Sequence, residues 1–309
     1  MTSQTSKISP FTNAVITAVR QLYPEVLADK SFDNTGLLLE APHRDHLKKS
    51  VLLTVDLTTA VADEAIKRGD SIVIAYHPII FRGLKSLTQS NTQTNTLLRL
   101  AQEGISVYCP HTAVDAAPGG LNDWLCDIFS SLGPSERTNI TPHPSPPSTM
   151  STAGYGRILR FSTPQPLNTL IKAITTSLNI PYLSVATPQS LSSNSARAHP
   201  ISSIGICAGS GGSMLNGLDV DLLFTGELSH HEALAAIEMG KCVITAFHSN
   251  TERAFLGDRM KGLLEKEVTG VIAGLRQKGT WKVDEGFEVG VSEADRDPFY
   301  VVGRGVEGW

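Results

Sequence analysis

Short apolar runs alternate with helical patterns along the chain, and this alternation constrains the fold more than any other feature. VLLTVDL (51–57), SIVIAYHP (71–78) and ISVYCP (105–110) are too short for helices and rich in β-branched residues, which indicates buried strands. Helical patterns lie between them, one ending at Gly69 and another at Gly104. Apolar strands that alternate with helices predict a parallel sheet with helices on both faces.

The same rhythm returns in the second half of the chain. SIGICAG, DVDLLFTGE and KCVITAFHS repeat the strand pattern, and SHHEALAAIEMG predicts a helix in which Ser229 and Glu232 form a capping box. The polar, proline-rich segment 133–152 predicts a linker or long surface loop, and 190–203 predicts another loop. A final edge strand is expected near FYVVG (299–303).

These patterns predict an α/β protein with two α/β domains and mostly parallel sheets. The predicted division is an N-terminal domain over 1–132, a linker with a small strand and helix unit over 133–203, and a C-terminal domain over 204–309.

Composition limits the partners and the compartment. With 26 basic and 30 acidic residues, the net charge of −4 argues against nucleic acid and against a lipid surface as a partner. Four cysteines without a C-x-x-C pair indicate a reducing compartment, and neither a membrane span nor a secretion signal is visible. We expect a cytoplasmic protein, with the mitochondrion and the nucleus as alternatives. The Ser/Thr-rich start with one lysine favours a mitochondrial address, whereas the lack of arginine before Arg20 argues against it.

The candidate functional residues lie where predicted strands end, since ligands of α/β sheets bind outside the carboxyl ends of the strands. Those ends carry His77, His111, Asp115, Glu227 and His248. Glu252 follows His248 by four residues in HSNTER, and a helix that starts near Asn250 would turn both side chains toward one ion.

Imidazole and carboxylate groups without a thiolate suit divalent zinc, manganese, iron or nickel. One or two such ions per chain, about 3.5 to 4 Å apart where there are two, would support metal-assisted hydrolysis. Any one of these histidines alone has a plainer interpretation as a surface or packed residue, so the prediction rests on their combination.

Four longer strings then indicate a family: AYHPIIFRGLKSLT, VYCPHTAVDAAPGGLNDWL, FTGELSHHEAL and AFHSNTERAFL, in this order. They resemble the Nif-three-like family, also described as homologues of GTP cyclohydrolase 1 type 2, over about residues 12–132 and 204–265. The resemblance implies a Nif-three-like fold with a dinuclear metal site in the cleft between two domains, and a toroidal hexamer built from dimers. It also implies that His77, Asp115, His248 and Glu252 are metal ligands.

Tyr76 departs from many bacterial members, which have two adjacent histidines at positions 76 and 77. A phenol with an ordinary pKa near 10 is a poor ligand, so the second metal position is short of one imidazole. Tyr76 and His111 are expected next to the metal ligands, in positions from which a hydrogen bond orients a ligand side chain. Glu227 is a candidate general base, although a bond to a neighbouring backbone group explains it equally well. Asp33 has either a place near the site or a turn role.

Three functions of different classes follow. The first is a metal-dependent hydrolase of a nucleotide or another small phosphorylated compound, with GTP ring opening carried only by the resemblance. The second is an oligomeric scaffold, stabilised by metal, that binds a transcription factor or another protein partner without catalysis. Metal storage is a third, plainer alternative.

Overall fold

Two β-sheets organise the residues that a computed structural model of the protein describes, 9–281 and 286–302. The first sheet has the order β1 (Gly36–Leu39), β4 (Ser106–Cys109), β3 (Ile72–Ala75), β2 (Ser50–Thr54) and β11 (Glu288–Val291). β1 is antiparallel to β4, and the other three pairs are parallel. All residues of β2, β3 and β4 are buried, as their continuous apolar runs predict.

Helices from the first half of the chain accompany this sheet: α1 (Pro10–Leu22), α2 (Thr59–Arg68), α3 (Thr92–Glu103), α4 (His111–Ala116) and α5 (Leu121–Asp127). Gly69 and Gly104 end α2 and α3 in the left-handed conformation, which confirms the predicted helix ends.

The second sheet has the order β5 (Ser135–Pro142), β6 (Gly154–Pro166), β8 (Pro200–Ser210), β9 (Leu222–Glu227), β10 (Cys242–Thr245) and β7 (Ser184–Ala186). β8, β9 and β10 run parallel at its centre, and the outer strands are antiparallel to their neighbours. The predicted α/β class is therefore confirmed, with one mainly parallel sheet and one mixed sheet.

The remaining helices are α6 (Leu167–Ser177), α7 (Ser193–Arg197), α8 (Gly212–Leu215), α9 (His230–Glu238), α10 (Arg253–Phe255) and α11 (Lys261–Gln277). A π-helix, Leu256–Met260, connects α10 to α11. The predicted capping box at the start of α9 is present in both directions, between the Ser229 side chain and Glu232.

Three local predictions were wrong. The segment 133–152 contains β5, an edge strand whose side chains are mostly exposed and polar, so it lacks the apolar alternation that marks a strand. The segment 190–203 contains α7 and the start of β8. Residues 299–302 have no regular structure, and within the described residues the last strand is β11 at 288–291. Gly303 lies outside the described residues.

β11 returns the chain to the first sheet, where it pairs in parallel with β2. Just after it, Asp295 accepts a hydrogen bond from the backbone N–H of Val55 (2.8 Å) and one from Arg253 (3.1 Å). The division at residues 132 and 203 stays a prediction.

The largest buried cluster combines residues of both sheets with α1, α4, α5, α6 and α11. Smaller clusters cover the outer face of each sheet. Because the shared core holds the two sheets against each other, side chains at their strand ends are positioned by both halves of the chain. Among the residues that the structure describes, no helix is long and apolar enough to cross a bilayer.

Candidate metal centre

Side chains from both sheets meet at one point beyond the carboxyl ends of the strands. His77 follows β3 in the first sheet, and His248 and Glu252 follow β10 in the second. One donor atom of each of the three residues lies within 4.8 Å of the other two. The rings of His77 and His248 are 5.2 Å apart between centroids. The prediction that imidazoles from distant segments converge is therefore confirmed. These three residues are a candidate metal site, and we call them the metal cluster.

Glu252 is the centre of the metal cluster. Its side chain is 2% exposed, with Oε2 3.4 Å from His77 Nε2 and Oε1 3.4 Å from His248 Nε2. Oε2 is buried without a hydrogen-bond partner of acceptable geometry. A buried carboxylate oxygen without a partner is costly in a protein, unless a cation satisfies it. The donor set and this oxygen fit a divalent ion.

Each imidazole of the metal cluster is hydrogen-bonded through Nδ1 to a carboxylate outside the cluster. His77 Nδ1–H donates to Asp56 at 2.9 Å, and His248 Nδ1–H donates to Glu227 at 2.9 Å. In both rings this leaves Nε2 directed toward Glu252. Carboxylates bonded to the remote nitrogen are the usual support of metal-binding histidines, because they orient the ring and increase its basicity.

The chain turns sharply to bring His248 and Glu252 together. Phe247 has φ +65°, a left-handed conformation that costs energy for a residue with a side chain. A 3-10 helix, Ser249–Thr251, follows, and Glu252 stands between it and α10. The hydroxyl of Thr251 donates to the carbonyl of His248 at 2.8 Å and accepts from the N–H of Gly209 at 2.9 Å.

Gly209, near the end of β8, lies directly against the metal cluster. Its φ is +61°, and a Cβ atom there would come within 2.8 Å of both Glu252 Oε1 and His248 Nε2. No ordinary Cβ contact is this short, so only glycine leaves the space beside the two donor atoms free.

Proton and cation would compete for the same atom of His77. Burial acts against a charged ring, but the neighbouring carboxylates of Glu252 and Asp56 outweigh it and raise the pKa of His77 to about 10. Burial also acts to raise the pKa of Asp56, but its bond with His77 holds that pKa below its ordinary range. The two carboxylates therefore favour a positive charge between them.

Tyr76 and Asp115 form a buried pair beside the metal cluster. The phenol O–H donates to Asp115 Oδ1 at 2.7 Å. Burial, together with the charges of Asp115 and Glu252, raises the pKa of Tyr76 well above its ordinary value, so the phenol stays a neutral donor. Burial also raises the pKa of Asp115, to about 6. Asp115 lines the cleft, and its role as a metal ligand stays a prediction.

His111 stands at the other side of the cleft, with its ring centroid 5.5 Å from those of both His77 and Tyr76. Its backbone φ is +27°, a strained value at the start of α4. Asp33 holds this turn, since it accepts from His111 Nδ1–H at 2.7 Å and from the backbone N–H of Thr112 at 3.2 Å. Burial acts to raise the pKa of Asp33, but the hydrogen bond and charge of His111 and a hydrogen bond from the Thr112 hydroxyl lower it to about 2.

Two residues of this centre do not follow from the sequence reasoning. Asp56 follows β2, and the same strand-end rule that selects His77 could have found it. Gly209 looks in sequence like part of a tight turn, because nothing near it along the chain reveals that it contacts Glu252. Glu227 is predicted as a base, and in the structure its contact is with His248.

The metal cluster forms part of the wall of a cleft of about 530 Å³. The polar part of the lining comes from the metal cluster, Asp115 and Asn122. Its apolar part includes Phe32, Phe81, Tyr155 and Met214. A cleft of this size suits a small molecule with one polar and one apolar part.

Comparison with known proteins agrees with this architecture. The model of the family Duf34/NIF3 (NGG1p interacting factor 3) matches residues 12–275. The chain belongs to this family. It is 42% identical to NGG1-interacting factor 3 of Saccharomyces cerevisiae over 93% of this chain and 96% of that protein. It is 47% identical to the protein NIF3 homolog of Schizosaccharomyces pombe over 78% of this chain and 84% of that protein.

The NIF3 fold is also found in solved structures. A Bacillus cereus protein related to NIF3 superposes with a TM-score of 0.71 and 19% identity, over 96% of this chain and 100% of that one. At this identity the likeness concerns the fold. The family membership predicted from the four sequence strings is confirmed.

Proposed function

We propose that the protein is a divalent-cation-dependent hydrolase of a nucleotide or another small phosphorylated compound. The observation that carries the proposal is the metal cluster itself. Three donor atoms lie within 4.8 Å of one another in the wall of a cleft of substrate size, and a buried carboxylate oxygen among these three residues has no hydrogen-bond partner. Imidazole and carboxylate donors would accept zinc, manganese, iron or nickel.

His77, His248 and Glu252 would hold the ion, and we propose Asp115 as a further ligand because it lines the same cleft. When bound, such an ion supplies Lewis acidity, which polarises a phosphoryl or carbonyl oxygen and makes water a stronger acid. Asp56 and Glu227 hold the two imidazoles with Nε2 toward Glu252. Tyr76 O–H donates a hydrogen bond to Asp115 Oδ1 and thereby orients that carboxylate.

Metal content and turnover test this proposal together. Protein purified without chelator should carry about one or two divalent ions per chain and should hydrolyse members of a panel of phosphoesters and nucleoside triphosphates. His248→Ala and Glu252→Gln should lose both the ion and the turnover, because each removes a donor of the metal cluster. His231→Ala, which replaces an exposed histidine on α9, is the matched control and should keep both.

Fewer than about 0.2 ions per chain in the unmodified protein would contradict any function based on metal, storage included. Full metal content with no turnover on any member of the panel would contradict the hydrolase and leave metal storage or the scaffold.

A second candidate is a protein-interaction factor, which the name of the Saccharomyces cerevisiae relative supports. The exposed apolar run Phe299, Tyr300, Val301 and Val302 offers a surface for such contacts. A partner that binds His248→Ala as tightly as the unmodified protein would favour this candidate, because the variant lacks one donor of the metal cluster.

We also propose a cytoplasmic homo-oligomer built from dimers. Six chains of 33.1 kDa would give a toroidal particle of about 200 kDa. Light scattering after size-exclusion chromatography measures this mass directly, and a mass near that of one chain would contradict the assembly.

A further inference from the structure

Two exposed phenylalanines stand at the mouth of the cleft that contains the metal cluster. Phe32 is 52% exposed and Phe81 is 46% exposed, and both line the cleft. Their ring centroids are 6.4 Å apart at an interplanar angle of 41°, and Phe32 meets the ring of His111 edge-on at 6.5 Å. We call Phe32 and Phe81 the aromatic pair.

The segments that carry the aromatic pair are held in place by polar bonds. The side-chain amide of Asn34 donates to the carbonyl of Ile80 at 2.5 Å, which connects the two segments. The side-chain amide of Gln93 donates to the carbonyl of Ile79, the residue before Ile80. The backbone N–H of Asp29 donates to Thr112 at 3.0 Å, which connects the first segment to α4. Because these bonds hold the segments that carry the rings, a partner would bind with less loss of backbone conformational entropy.

The charge of the cleft also limits what can bind there. Among the lining residues that the structure describes, none is lysine or arginine, while Asp29, Asp115 and Glu252 are acidic. A phosphorylated ligand would therefore find its positive partner only at the metal cluster and at the histidines. The aromatic pair, Tyr155 and Met214 give the cleft apolar lining that would supply a further part of its affinity.

We propose that the aromatic pair stacks on a planar heteroaromatic ring of the ligand, a nucleobase, while the phosphorylated end of the same ligand faces the metal cluster. The inference rests on the proposed function, because it assigns the ring-bearing part of the same substrate. Two steps between ring centroids, 6.5 Å from Phe32 to His111 and 5.5 Å from His111 to His77, connect the aromatic pair with the metal cluster. A nucleotide is long enough to span such a distance.

Stacking of a base on an aromatic side chain favours binding by a factor of about ten or more. Calorimetric titration of the manganese-loaded protein compares AMP, GMP and UMP with ribose 5-phosphate, which has the phosphate without the base. At least one nucleotide should bind about tenfold more tightly than ribose 5-phosphate. Phe32→Ala and Phe81→Ala should each reduce this preference severalfold, and Phe32→Leu should reduce it too, because leucine keeps apolar area and loses the ring.

Phe299→Ala is the matched control, since Phe299 is 66% exposed and does not line the cleft. It should leave the nucleotide preference unchanged, and metal content should be equal in all these variants.

Equal affinity for ribose 5-phosphate and all three nucleotides would overturn the inference, even where the metal-dependent hydrolase is real. A changed oligomeric mass in Phe32→Ala and Phe81→Ala, with the nucleotide preference intact, would also overturn it and would assign the aromatic pair to a contact between copies. A second measurement does not depend on metal. Saturation-transfer NMR with adenosine on the metal-free protein should give a signal that Phe32→Ala weakens, whether or not the protein hydrolyses anything.

Discussion

Gly209→Ala should remove metal binding while the fold persists. A methyl group at this position would lie 2.8 Å from Glu252 Oε1 and from His248 Nε2, so either the methyl or these two donor atoms have to move. Changes in groups that only orient the ligands reduce metal affinity about 10- to 100-fold. Because the methyl displaces the donor atoms themselves, we expect a loss of at least about 100-fold.

The same substitution also carries a backbone cost that has to be separated from the effect on metal. At φ +61° an alanine costs about 1 kcal/mol of folding free energy, or about 2 °C in Tm for a chain of this length. Gly217→Ala is the matched control, because Gly217 has φ +78° and a methyl group there would have no atom within 4 Å. It should show the backbone cost and normal metal binding.

The assay is mass-spectrometric metal analysis after dialysis against a graded metal buffer, combined with thermal unfolding of the metal-free proteins. If Gly209→Ala and Gly217→Ala retain the same metal affinity within twofold, the space beside Gly209 is not where the ion binds. The reasoning from the close approach would then be refuted.

Three further outcomes follow from the structure. Asp33→Asn should lose about 2 kcal/mol of unfolding free energy at pH 7, because the pKa of Asp33 is lowered to about 2 from an ordinary 3.8. Above pH 3.8 the lowered pKa of Asp33 stabilises the fold, and this effect is lost toward pH 2. Denaturant titrations of Asp33→Asn and of the parent should therefore converge on acidification. Asp45 is fully exposed, so Asp45→Asn should keep the parental stability at every pH. Glu227→Gln should weaken metal affinity about tenfold through His248, whereas retained metal with lost turnover would instead support the predicted role as a base. Ser229→Ala should cost about 1 kcal/mol in thermal unfolding through loss of the capping box, and unchanged stability would show that the cap is dispensable.

The strands that can be predicted from the sequence are those that the fold buries. β2, β3 and β4 are buried on both faces, so a run of consecutive apolar residues marks each of them in the sequence. β5 escapes prediction because an exposed edge strand carries the polar side chains of a loop. β11 escapes it because four residues, EVGV, become a strand only through pairing with β2, more than 200 positions earlier in the chain.

In the candidate site, too, some residues can be predicted from the sequence and others cannot. His77, His248 and Glu252 are predictable because each follows a recognisable strand or lies in the distinctive HSNTER string. The carboxylates that bond the two rings are harder to predict. The bond between His77 and Asp56, for example, joins the ends of two neighbouring strands. Gly209 shows the limit most clearly, because its importance lies in atoms more than thirty residues away.

β11 returns to the first sheet, so the last part of the chain helps to position the metal cluster. Its place in the sequence does not suggest this role. Removing residues 286–302 would strip β2 of its outer neighbour and leave a row of unpaired backbone groups open to another chain. The deletion would also withdraw Asp295 from Arg253, the residue directly after Glu252, and from Val55, directly before Asp56. A shortened chain would therefore be expected to bind metal poorly and to aggregate, although every proposed ligand would still be present.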